Sequence, residues 1–226
     1  MRVLILVSAA VAGLLALFAM NDVPAATTPE DARAISQLLP DEKKPAGFEE
    51  EVAFILRIQD RVLAASPEER GIELNQPREL PDLIRARHGA CFDRSRAIET
   101  ILRSYGFQTR HAAMYSTVET GSALRALATP DNISHALTEV KTSRGWMIVD
   151  SKTRWAGLTS EGQPLDLEAI RANPKRTWSS KVRDGLPEIY GAPFTWVYGL
   201  YSRHGRFYPP YNPVPDVNWG ELAQNL

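Results

Sequence analysis

The chain has 226 residues, 44% hydrophobic and 23% charged, which is enough apolar material for one packed domain and too much for a disordered tail. Its 26 Lys and Arg against 27 Asp and Glu leave a formal net charge of −1, which argues against nucleic-acid binding as the main task. A single cysteine, Cys91, excludes an intramolecular disulfide framework and a zinc site built on several thiolates, and the four histidines are too scattered for a metal cluster.

Residues 3–20 carry no charged side chain and follow Met1-Arg2. Such a run is a signal peptide or a retained membrane anchor. Val23-Pro24-Ala25 offers small residues at the −3 and −1 positions of a cleavage after Ala25, so the segment 1–25 is set apart as a leader. Arg2 on one side and Asn21-Asp22 on the other favour a cytoplasmic N-terminus. Both readings export the rest of the chain, to the periplasm or beyond, free or tethered to an inner membrane. Membrane contact is then expected through the N-terminal segment alone. Exported compartments oxidise thiols, and structural cysteines there come in pairs. A lone Cys91 is therefore an intermolecular linker, a buried bystander or a reactive thiol.

Residues 26–47 are expected to form a short helix and a charged, proline-containing link. The helix starts at Thr28-Pro29-Glu30-Asp31, with a cap, a proline in the first turn and two acids. The domain proper runs over 48–226. Val52, Phe54, Ile55, Ile58, Val62 and Leu63 predict a helix from Phe48 to Ala65, with Gln59 read as solvent-facing. A loop over Gly71–Arg78 and a short helix around Leu80–Ile84 follow. Gly89-Ala90 breaks that helix, and a new one runs from Cys91 to Tyr105, stopped by Gly106. Phe107–Thr117 reads as a strand and Val118–Asn132 as an irregular insertion with a turn of helix at Ala123–Leu127. Strands at Ile133–Val140 and Gly145–Asp150, a short helix at Leu165–Ala172, and an aromatic, proline-rich end of one or two strands and an extended tail complete the chain. Helices first and strands after predict an α+β fold.

Chemistry concentrates at Cys91. As the first residue of a helix it sits at the positive end of the helix dipole among free N–H groups, which favours a thiolate. Its own N–H is placed to meet an oxyanion when the sulfur attacks a carbonyl. A thiolate nucleophile needs a histidine partner, and that histidine an orienting acid. If 135–150 folds as a hairpin turning over Lys141–Arg144, Val140 pairs with Gly145 and His135 lies opposite Asp150 on the same face, within reach of a carboxylate–imidazole hydrogen bond. The candidate catalytic residues are thus Cys91, His135 and Asp150. His88 lies in the loop before Cys91 with no obvious acid, His111 on a strand in the core or at the surface, and His204 in a turn. No second oxyanion donor is legible.

Residues 82–110 resemble the nucleophile helix of the transglutaminase-like superfamily. Gly89 precedes Cys91, Asp93 lies two after it, and Leu102-Arg103 leads to Gly106 and a strand with Arg110. His135 with Glu139, then Gly145-Trp146 and Asp150, is similar to that family's histidine and aspartate strands. The resemblance covers about residues 48–155. It implies a papain-like α+β core, its nucleophile helix packed on an antiparallel sheet that carries the histidine and the aspartate. It also implies a Cys-His-Asp triad of the bacterial transglutaminase-like cysteine peptidase (thiol protease) type. The implied activity is acyl transfer through a thioester, with hydrolysis of a peptide or protein amide first. A cross-linking transferase and a non-catalytic scaffold in envelope or polysaccharide assembly stand as alternatives. This chemistry needs neither a metal nor an organic cofactor, and none is expected.

Overall fold

The computed structural model describes residues 22–40, 43–173, 179 and 181–226. The leader expected over 1–25 therefore lies outside the described residues as far as residue 21. Among the described residues no helix is long and apolar enough to cross a membrane.

Helix α1, Pro29–Leu38, starts on a capping box in which the Thr28 hydroxyl accepts from the Asp31 N–H and Asp31 accepts from Thr28. Helix α2, Phe48–Ala65, buries Val52, Ile55, Ile58 and Val62, a stripe at helical spacing. Helix α3, Leu80–Ala86, has proline in its first turn and an Asp82 carboxylate that caps Glu79. Helix α4, Cys91–Ser104, ends where Gly106 adopts φ 81, a left-handed conformation that costs glycine little. Strand β1, Gln108–Ser116, then enters the sheet.

The remaining elements are α5 (Ala123–Ala128), β2 (Ser134–Thr142), β3 (Gly145–Val149), α6 (Leu167–Ala172), α7 (Glu188–Gly191), β4 (Phe194–Tyr198), β5 (Leu200–Tyr201), β6 (Asp216–Val217) and α8 (Trp219–Leu222). The fold is α+β. Four strands form an antiparallel sheet in the order β3-β2-β1-β4, and β5 pairs with β6 separately. Helices α2 and α4 cover one face, where Ile55, Ile58, Ile98 and Ile101 pack with Val140, Met147 and Val149. The other face carries Met114, Leu137 and Ile148 and is closed by Trp155, Leu167, Ile170 and Tyr190. Side chains alternate between the two clusters along each strand, as a sheet covered on both sides requires.

The hairpin register differs from the sequence expectation. Thr142 pairs with Gly145 and Thr138 with Val149, so the turn is two residues, Ser143-Arg144, and β2 runs two residues further into it than expected, while β3 starts at Gly145 as expected. The Thr142 hydroxyl donates to the Gly145 carbonyl at 2.8 Å, while Glu51 of α2 accepts from the Ser143 N–H and hydroxyl, both at 2.8 Å. Two-residue turns match the twist of paired strands and are favoured for that reason. A shift of two residues preserves the face, so His135 and Asp150 become diagonal rather than opposite neighbours.

The C-terminal part also departs from an extended tail. It closes as strand β6 and helix α8, and Asn218 caps α8 by accepting from the Glu221 N–H at 3.1 Å. Glu221 binds the His111 N–H at 3.0 Å and joins Arg103 and Tyr201, which fastens the end of the chain to α4 and β1.

Candidate active site

Cys91 is the first residue of α4, and the chain around it shows why a helix begins there. Ala90 is extended, and the Asp93 carboxylate accepts from the Ala90 N–H at 3.0 Å and from the Ile72 N–H at 3.1 Å. Burial outweighs those two donors and lifts the Asp93 carboxyl above its ordinary range. A Cβ on Gly89 would lie 2.4 Å from the buried Leu83 Cδ1, so a side chain there would displace Leu83 of α3 from its place in the core. The buried Arg94 guanidinium donates to the Ser66 carbonyl at 2.5 Å and the Glu68 carbonyl at 3.1 Å, pinning the preceding loop. The thiol is half-buried, beside Ala113, Tyr115, Ala136 and Phe207.

His135 and Asp150 come together as the residue types suggested. His135 Nε2 lies 2.8 Å from Asp150 Oδ2, with both side chains buried. Cys91 is close enough to bear on the His135 imidazole and adds to the charges that favour its protonated form, while Nε2 is committed to Asp150. By strand alternation His135 shares a face with Met114 and Leu137, away from the face that carries α4. It is the second residue of β2, near the end of the sheet.

Electrostatics follow from this packing. Burial alone would depress the His135 imidazolium. The Asp150 charge, its hydrogen bond and Cys91 outweigh burial and push it up to about 10. Burial would likewise raise Asp150, but His135, the Tyr190 hydroxyl and the Thr153 N–H bring it down to about 2.

Asp150 is the best-held group in the site. Oδ1 accepts from the Lys152 N–H at 2.9 Å, the Thr153 N–H at 2.6 Å and the Thr153 hydroxyl at 3.0 Å. Oδ2 takes the Tyr190 hydroxyl at 2.6 Å in addition to His135. Gln59, expected to face solvent, is buried instead. Its Nε2 donates to the carbonyls of Asp150, Thr153 and Trp155 at 2.8, 3.1 and 2.6 Å, tying this turn to α2. Its place between Ile55 and Val62 on the apolar stripe was the available signal. Tyr190 had none, because α7 is one turn long and lies 40 residues from Asp150.

The other histidines are committed elsewhere. His88 Nδ1 meets the Arg70 carbonyl at 2.8 Å, His111 Nδ1 lies 2.8 Å from Glu99 in the core, and His204 Nδ1 lies 2.8 Å from Asp216. Glu139 does not join His135. It is buried against Arg110 at 2.6 Å, the Leu167 N–H at 2.7 Å and the Tyr198 hydroxyl at 3.0 Å, a knot between β1, β2, β4 and α6. Among the described residues no group of three or more His, Cys, Asp or Glu is arranged to hold a metal ion.

A cleft of about 540 Å³ opens beside His135 and Asp150. It is lined by residues following β1, by Asn132 to Ser134, by Lys152 and Thr153, and by α7. The Val118–Asn132 insertion thus forms part of its wall, and the Asn132 side chain braces it by donating to the Ser116 carbonyl at 2.9 Å and the Ala126 carbonyl at 3.1 Å.

Residues 32–151 match the family model described as the transglutaminase-like superfamily. No curated protein matches the chain. Among solved structures it is similar to an arylamine N-acetyltransferase from Salmonella typhimurium, at 21% identity and a TM-score of 0.36. That match covers 56% of this chain and 45% of the acetyltransferase, so the chain spans under half the length of that neighbour.

Proposed function

The chain belongs to the transglutaminase-like superfamily, which includes cysteine-dependent acyltransferases and peptidases, and on that premise we propose that it hydrolyses a peptide or protein amide through Cys91, His135 and Asp150. The observation that carries the proposal is the buried His135–Asp150 pair, with Nε2 on Asp150 at 2.8 Å, set near a cysteine that starts a helix. An imidazole held by a carboxylate and near a thiol is placed to move one proton.

With His135 pushed up to about 10, the imidazolium is the prevailing form at neutral pH, the counter-charge that a thiolate requires. The Cys91 sulfur adds to the amide carbonyl carbon, and the Cys91 N–H at the start of α4 donates to the oxygen that becomes negative. Collapse breaks the C–N bond, and the leaving nitrogen takes the proton from His135 Nδ1. This leaves a thioester on Cys91. Neutral His135 then accepts a proton from water as that water attacks the thioester carbonyl. The acid departs, and the thiolate and imidazolium are restored. Asp150 keeps the ring oriented throughout and stabilises its charged form. Water is the proposed acceptor because the cleft walls are open to solvent, with Val118 and Ile133 more than half exposed. We place this chemistry outside the cytoplasm, in line with the hydrophobic leader, periplasmic or secreted and anchored if the leader is retained.

The test is to incubate the protein with envelope extract, trap the acyl group on Cys91 and identify it by mass spectrometry. A thioester on wild-type protein that is absent from His135→Ala supports the reading. Unmodified Cys91 under every condition, with Cys91→Ser fully active in cells, overturns it.

A further inference from the structure

We propose that the cleft beside His135 is the subsite for a peptide segment carrying an apolar side chain next to a basic one. The proposal rests on the acyl-transfer reading of Cys91 and His135, and it adds the chemistry of what lies across them.

Two features of the cleft carry it. One is apolar surface left in solvent. Val118 and Ile133 are 58% and 63% exposed, and with Pro187, Ile189 and Ala192 they line the same cavity. Large apolar groups gathered on an open wall gain by covering one another with a ligand. The cavity, at about 540 Å³, has the size of a side-chain or small-molecule pocket.

The other feature is charge. In the lining, His135 is paired with Asp150 at 2.8 Å and Lys152 with Glu69 at 3.2 Å. Glu119 and Glu188 line the cleft from separate segments, one after β1 and one on α7, and neither makes an ion pair among the described residues. The lining therefore keeps a net negative charge next to the apolar wall. A cleft lined by one sign of charge concentrates ligands of the other sign. An acidic or phosphorylated peptide would face repulsion here, and a purely apolar one would leave the two carboxylates unused.

The probes are two fluorescein-labelled hexapeptides that differ at one position, leucine followed by lysine or by glutamate, titrated into full-length Cys91→Ala by fluorescence anisotropy. The lysine peptide is expected to bind roughly three- to tenfold tighter, with the advantage shrinking as salt rises. Glu119→Gln with Glu188→Gln should abolish the difference, and Ile133→Asp should weaken both peptides. Equal binding of the two peptides, a preference that survives the double substitution, or no binding of either overturns the proposal. Acyl-enzyme formation on the wild-type chain is measured in parallel. A thioester with no charge preference removes this subsite and leaves the acyl-transfer reading. A charge preference without any thioester does the reverse.

Discussion

Tyr190 donates its phenolic hydrogen to Asp150 at 2.6 Å, on the same carboxylate oxygen that holds His135 at 2.8 Å. Two donors thus compete for one acceptor, and the hydroxyl withdraws charge that would otherwise serve the imidazolium. Tyr190→Phe removes the competitor while keeping the ring that packs on Trp155, centroids 4.9 Å apart. His135 should then titrate at higher pH than its present value of about 10, and the fold should lose about 1 kcal/mol. An NMR titration of the His135 ring in both proteins checks this. An unchanged midpoint would make Tyr190 a packing residue only.

Substitutions at the three central residues should separate chemistry from folding. Cys91→Ser is close in volume at a half-buried position and should fold normally while losing turnover by about 10³-fold or more. His135→Ala should cost about as much activity, because residues acting as a unit are not additive. Asp150→Asn differs in kind. The carboxylate accepts from His135, Tyr190, the Lys152 N–H, and the N–H and hydroxyl of Thr153, and an amide offers one oxygen and two unwanted donors in its place. Asp150→Asn should therefore lose about 2–3 kcal/mol of stability, which Cys91→Ser does not. Urea denaturation beside a turnover assay reads both; equal stability of the two variants would contradict the proposed hydrogen-bond role of Asp150.

The sign of the pH dependence follows from the same pair. His135 is raised from 6.5 to about 10, so its contribution is complete below pH 6.5 and fades as pH rises towards about 10. Asp150 is lowered from 3.8 to about 2, so its contribution is complete above 3.8 and fades as pH falls towards about 2. The pair stabilises the fold most between those limits, from about pH 4 to 6.5. His135→Ala should flatten the decline in unfolding free energy between neutral pH and pH 9. Denaturant midpoints taken across that range in both proteins test it, and parallel curves would mean that the pair does not set the alkaline slope.

The helices, including the one that starts at Cys91, were legible because their signals are local. Thr28-Pro29, the Val52 to Val62 stripe and Gly89 before Cys91 each act within a few residues. The strands were legible as segments, yet their register was not. Ser143-Arg144 carries no Asn-Gly type signal, and the turn is settled by Glu51, 92 residues away in sequence. At Gln59 residue type and helical position point opposite ways, and position prevails: the side chain is buried on the α2 stripe. Tyr190 and the closing role of Glu221 depend on contacts 40 and 110 residues apart, which periodicity does not encode.

Gln59 gives a prediction of its own. Its buried amide donates to the carbonyls of Asp150, Thr153 and Trp155. Gln59→Leu keeps the volume and strands the carbonyls of Asp150 and Thr153, while Trp155 keeps the Asp150 N–H, at a cost of about 2–3 kcal/mol. The Asp150 turn should loosen with it, so turnover should fall even where the protein remains folded. Amide hydrogen exchange at Lys152 and Thr153, whose N–H groups bind Asp150, checks the local effect. Protection equal to wild type at both would show that the turn holds without α2.

Where the folded unit begins can be measured by truncation. Val23 is buried, its N–H donates to the Val217 carbonyl at 3.2 Å, and the Arg96 guanidinium donates to the Pro24 carbonyl at 3.0 Å. Val23 and Pro24 thus join β6 to α4, so the segment expected to end the leader is docked on the domain. A chain starting at Asp22 should be soluble and fully folded. One starting at Ala26 loses a buried valine and two hydrogen bonds, about 2 kcal/mol or more, which lowers Tm by about 4–8 °C in a domain of this size. Thermal melts of the two truncated chains, at matched concentration, decide it. Identical melting would show that residues 22–25 add nothing to the fold and that a cut after Ala25 leaves the domain intact. A clear gap would mean that such a cut removes part of the structure that holds α4, and with it Cys91, in place.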